Sequence, residues 1–172
     1  MVRHLAEEIN YEVPVICAPG VSMCTPSKDK WMLRFWVPML EHMLMHPRAH
    51  YIFHLGTNNV SNHKAKAPAI IKKEAEDLCQ RMWRFNKQTH ITFCAVLYRS
   101  QKESLIVVDC NEELRKLAAK DKRTHFFDCS NVLRDPKLFR RDNVHLSDEG
   151  VKEYTKCIND FLYREVCIQF WR

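Results

Sequence analysis

His50-Tyr51-Ile52-Phe53-His54-Leu55-Gly56-Thr57-Asn58-Asn59 is an apolar run of strand length that ends on a glycine and three small polar residues. A short run rich in Ile, Phe and Tyr reads as a strand buried on both faces, here His50–Leu55. Gly56-Thr57-Asn58-Asn59 then falls at the carboxyl edge of a sheet, where open α/β folds bind their ligands. Gly56 permits close backbone approach, and the Asn58 carboxamide offers an N–H donor to a developing oxyanion. The same four residues also suit an ordinary strand-to-loop turn.

Working outward, three further runs carry the same signature: Glu12–Ala18, Ile91–Tyr98 and His125–Asp128. They alternate with segments of helical period, which predicts a parallel sheet with helices on its faces. Val2–Asn10 is a short helical segment, and Asp29–Met45 is apolar almost all round, with Pro38 predicting a kink near Val37. Its all-round apolarity fits a core helix, or else a docking face. Ala69–Asn86 is amphipathic, with Pro68 at its start, and Leu105–Lys120 repeats the pattern. The last helix is expected from Asp148 to about Val166, capped by Ser147 with Asp148 and Glu149 in its first turn.

Composition bounds what such a chain does. Its 172 residues suit one domain, 46% apolar and 28% charged, with no internal repeat or linker. The net charge of +6 is spread over small groups such as Lys64/Lys66, Lys72-Lys73 and Arg140-Arg141. Scattered charges read as solvated faces, with a polyanion surface as the alternative. Eight cysteines lie in apolar runs without a CxxC pair, as free buried thiols of a reducing compartment do. With no leader or membrane-spanning stretch in evidence, the expected location is cytoplasmic. His42 and His46 share a helix face, but two imidazoles alone do not make a metal site, so no metal and no cofactor is expected. His54 and His63 flank the sheet edge near the proposed crevice.

Near the other end, Asp142-x-x-His145 precedes the last helix. A carboxylate three residues from a histidine accepts one imidazole N–H and leaves the other ring nitrogen as a general base. Pro19-Gly20 after the run Glu12–Ala18 aims a backbone N–H toward the same sheet edge.

Gly20, Gly56-x-Asn58 and Asp142-x-x-His145 resemble, in order and sheet position, three of the four blocks of the SGNH (GDSL-type) hydrolases. Gly-Thr-Asn-Asn is similar to the platelet-activating-factor acetylhydrolase branch, and Met1-Val2-Arg3-His4-Leu5 to esterase domains of LINE retrotransposons. The resemblance implies a three-layer α/β/α fold with a flavodoxin-like parallel sheet of order 2-1-3-4-5. It implies hydrolysis of acyl or acetyl esters of lipids, sugars or small alcohols by a Ser-His-Asp triad. His145 and Asp142 would be catalytic, Gly20 and Asn58 would form the oxyanion hole, and Gly56, Thr57 and Asn59 would line the substrate.

The first block, Gly-Asp-Ser, has no counterpart in the sequence; in the family its serine stands directly before the residues matching Met1–Leu5. Serine and first, central strand are thus expected to be absent, giving an inactive chain with an opened sheet. Ser22, Cys24, Thr25 and Ser61 are poor substitutes, because nothing places them beside His145. The competing expectations are a non-catalytic module binding protein or nucleic acid, and a degenerate gene product. The oligomeric state is not legible.

Overall fold

The computed structural model describes residues 39–46, 50–97, 104–143 and 145–167. The expected helix Val2–Asn10, strand Glu12–Ala18, Gly20 and the Pro38 kink lie outside them. The chain divides into two compact units, Ile16–Phe126 and a second holding Phe127–Arg172, and each is described by itself.

In the first unit β1 (His50–Phe53), β2 (His90–Cys94) and β3 (Thr124–Phe127) begin within one residue of the predicted runs, and β2 ends at Cys94, four residues short of the predicted Tyr98. They form a three-stranded parallel sheet of order β1-β2-β3, continuing one residue into the second unit. This is the 3-4-5 part of the expected order. β1 pairs with β2 in parallel, His50 opposite His90 and Phe53 opposite Phe93. The β2 run is buried from Ile91 through Leu97, apolar but for Thr92, as a strand covered on both faces requires.

Three helices connect the strands: α1 (Thr57–His63), α2 (Ala67–Phe85) and α3 (Ser104–Ala118). Gly56-Thr57-Asn58-Asn59 is therefore more than a turn: Gly56 is the N-cap and the next three residues open α1. Helix α2 starts with a proline in its first turn, where the missing N–H costs least. Its Ile71, Ala75, Leu78, Cys79 and Met82 recur at helical spacing and are buried in the core with Phe53, Ile91, Phe93, Val107 and Leu114. Ion pairs Lys72–Glu113 (3.2 Å) and Lys120–Glu76 (3.1 Å) tie the outer surfaces of α2 and α3. Exposed pairs of this kind contribute at most about 1 kcal/mol each, so buried apolar area holds the helices down. Residues 39–45 are helical; Met39 and Met43 are buried in the core while Leu44 is 75% exposed, so this part is amphipathic rather than apolar all round.

One polar side chain sits inside the packing. Asn111, on the inner face of α3 and 4% exposed, accepts the Val96 N–H (2.7 Å) and donates to the Val96 carbonyl (3.0 Å). It does for the strand extension what a neighbouring strand would do, satisfying both backbone groups out of reach of water.

In the second unit, Phe127 meets Tyr154 edge-on (5.8 Å) and Phe161 at a tilt (5.2 Å). Buried Leu133, Leu138, Ile158 and Leu162 complete this packing. Helix α4 (Asp148–Phe161) is capped by Ser147, as the sequence predicts, and ends in a π-helical turn, Leu162–Cys167. Cys79, Cys94, Cys110, Cys129 and Cys157 are free thiols, the first four buried. Burial pushes the Cys79 and Cys110 thiols up to about 12, which leaves them protonated and unreactive.

Removing the Asn111 carboxamide strands two buried backbone groups as well as losing two hydrogen bonds. Asn111→Ala is expected to lower the unfolding free energy by about 3 kcal/mol, read by urea denaturation. A loss below about 1 kcal/mol would mean that water reaches Val96.

Candidate functional site

The carboxyl end of β1 is shaped by Gly56. Its φ of +111° lies where a side chain is strained, and a Cβ there would come within 2.7 Å of Val96 Cγ2. Because Asn111 pins the Val96 backbone, this contact fixes how the chain turns from β1 into α1. The result places Thr57 and Asn58 half-buried in the first turn of α1 and Asn59 fully buried. Ser61, on the same helix, donates its hydroxyl back to the Thr57 carbonyl (3.3 Å). Gly20 lies outside the described residues.

In the second unit, Asp142 and His145 share one tight loop. Its base is an antiparallel bridge between Phe139 and Leu146, closed by the Arg140 N–H donating to the His145 carbonyl (2.7 Å). The Asn143 N–H donates to the Arg140 carbonyl, and Asn143 takes φ +55°, a conformation asparagine tolerates better than most residues. Asp142 then binds His145 twice. Oδ1 accepts the His145 backbone N–H (2.9 Å), and Oδ2 lies 2.7 Å from Nδ1 of the ring.

An ionised carboxylate only accepts hydrogen bonds, so it holds the neutral ring with its proton on Nδ1. Nε2 is left with its lone pair, and the imidazole side chain is 72% exposed. An exposed pair like this adds little to stability. Its consequence is chemical: a preset tautomer with a basic nitrogen turned to the outside.

The loop is held from behind by α4. The Ser147 hydroxyl accepts the Gly150 N–H (3.1 Å) and donates to the Lys137 carbonyl (3.1 Å), while the Ser147 N–H donates to the Leu138 carbonyl (2.9 Å). Gly150 makes this docking fit, since a Cβ there would lie 2.0 Å from the Leu138 carbonyl oxygen. The Asp142–His145 pair lies in one unit and the Gly56–Asn59 turn in the other, and within each unit the structure brings the members of the group together.

A cluster that sequence reasoning missed lies at the opposite, amino ends of the strands. His50 opens β1, His90 opens β2 and His125 is the second residue of β3. Their ring centroids lie 5.2–5.8 Å apart. Register alone unites residues 35 and more positions apart, so no local spacing signals them. His42 and His46, the pair sharing a helix face, meet at a tilt with centroids 4.4 Å apart, and His42 Nδ1 bonds the Tyr51 hydroxyl (2.8 Å).

Gly150→Ala is expected to push α4 off its turn and unfix the His145 loop, so that the unit loses at least about 2 kcal/mol. Thermal unfolding together with amide exchange at Arg140 and Asn143 measures it. Unchanged protection in the variant would contradict the clamp.

No family model matches this chain, and no curated protein matches it. Solved structures do. A Streptococcus pneumonia protein, described provisionally as a platelet activating factor, aligns over 66% of this chain with 21% identity and a TM-score of 0.57; the chain spans 59% of that protein's length. A carbohydrate esterase family 3 protein from Talaromyces cellulolyticus aligns over 84% of this chain and 68% of its own, with 16% identity and a TM-score of 0.64. At these identities the likeness shows the fold alone, an α/β architecture with a parallel sheet flanked by helices, as the sequence predicts.

Proposed function

We propose that this chain carries the acid–base and oxyanion parts of an SGNH-type ester hydrolase, acting on an acyl ester of a small alcohol, sugar or lipid. The observation that carries the reading is the Asp142–His145 pair: 2.7 Å from carboxylate to Nδ1, with Nε2 on an exposed ring. His145 Nε2 takes the proton of a serine hydroxyl as that oxygen attacks the ester carbonyl, then returns it to the leaving alkoxide. Asp142 orients the ring and stabilises the imidazolium formed in between. Asn58, through its carboxamide, and Gly20, through its backbone N–H, donate to the oxyanion of the tetrahedral intermediate. Gly56, Thr57 and Asn59 shape the wall beside it. In this reading the serine is that of a Gly-Asp-Ser block which, in such hydrolases, stands directly before the residues matching Met1–Leu5. Ser61 does not replace it, because its hydroxyl is engaged within α1.

The test is to join a strand ending in Gly-Asp-Ser ahead of Met1 and assay release of acetate from a p-nitrophenyl ester. Activity should appear with the serine and vanish with its alanine variant. His145→Ala and Asp142→Asn should each lower kcat by about 10³–10⁴-fold with little change in KM. A serine-bearing protein that folds and remains inactive, or one indifferent to His145→Ala, would overturn the reading.

A further inference from the structure

The histidine cluster at the amino ends of the strands takes no part in the proposed ester chemistry, which is set at their carboxyl ends. One ring nitrogen from each of His50, His90 and His125 lies within 4.8 Å of the others, and all three side chains are half-buried. We propose that these three imidazoles form a binding site for a divalent transition metal of zinc type, with water completing the coordination.

Geometry supports this. A tetrahedral ion about 2.0–2.1 Å from each ligand puts the nitrogens about 3.3 Å apart and the ring centroids about 5 Å apart. His90 Nδ1 and His125 Nε2 are already 3.2 Å apart. The centroid separations of 5.2–5.8 Å match as well. Closing the third ligand from at most 4.8 Å takes a shift of roughly 1–2 Å, which side-chain rotation supplies.

His50 shows the tuning expected of a ligand. Its Nε2 lies 2.6 Å from the Thr92 hydroxyl, and in the tautomer protonated on Nε2 that hydroxyl accepts the proton's hydrogen bond and Nδ1 keeps its lone pair. That Nδ1 is buried and has no hydrogen-bond partner among the described residues. An orphaned acceptor beside two more imidazoles is costly without something to bind, and a cation is what such a group of ring nitrogens accepts. The proton between His90 and His125 moves to an outer ring nitrogen when the ion enters, so no net charge need leave the rings. Arg123 and Lys122 are nearby cations acting on His90, with Asp121 opposing them; Arg123 is ion-paired with Asp121 and its guanidinium lies over Trp83 (3.8 Å).

The test uses the full chain without a histidine tag, stripped with chelator. Calorimetric titration with Zn²⁺ should show one equivalent bound, and Co²⁺ should give a visible d–d spectrum that Zn²⁺ displaces. His50→Gln and His125→Gln should each weaken Zn²⁺ binding at least about tenfold, as should Thr92→Val through loss of the hydroxyl that orients His50. His46→Ala, in the other histidine pair, should leave affinity unchanged. Circular dichroism of each variant before metal addition identifies any that fails to fold, and Thr92→Val, nearly isosteric, then decides. No saturable binding to the wild-type chain, or binding that survives all three substitutions, would overturn the site.

Discussion

The pairing of β1 with β2 is the constraint from which the rest of the first unit follows. With His50 opposite His90 and Phe53 opposite Phe93, the register sets both ends of the sheet at once. At the amino end it puts two imidazoles side by side. At the carboxyl end it delivers Gly56 against Val96, close enough that only a residue without a side chain fits. A slip of one residue turns every side chain of β1 to the opposite face, dismantling the Phe53 contact with the core and the histidine cluster together. Asn111 completes the arrangement by pinning Val96, so a buried amide on one helix determines how another helix begins.

The second unit rests on a different device. A serine cap and a glycine in the first turn of α4 seat that helix against the Pro136–Leu138 turn, and the loop carrying Asp142 and His145 springs from the same place. Backbone hydrogen bonds shape the loop, and both Asp142 oxygens go to His145. This exposed pair is worth little in stability. Its return is the orientation of a single ring.

Much of this was legible in the amino-acid order because it depends on local chemistry. Periodicity gave α2 and α3 to within two residues at each end, Ser147 marked the start of α4, and Asp142-x-x-His145 spacing implied its own hydrogen bond. Where non-local contacts decide, the sequence was silent or misleading. Gly56-Thr57-Asn58-Asn59 reads as a turn, yet the Val96 contact and the capping role of Gly56 convert its last three residues into the opening of a helix. His42 and His46 advertise themselves by spacing, while the three histidines that converge lie on three strands. Asn111 left one trace, a polar residue on the apolar face of a helix, and that signal marks a buried side chain with work to do for the backbone.

The central claim is that Asp142 presets His145 as a base. Long-range ¹H–¹⁵N correlation of the imidazole, at a pH where the ring is neutral, reads it directly. The account predicts the proton on Nδ1 and an unprotonated Nε2, with that preference lost in Asp142→Ala. A ring protonated on Nε2, or a tautomer indifferent to the removal of Asp142, would contradict it.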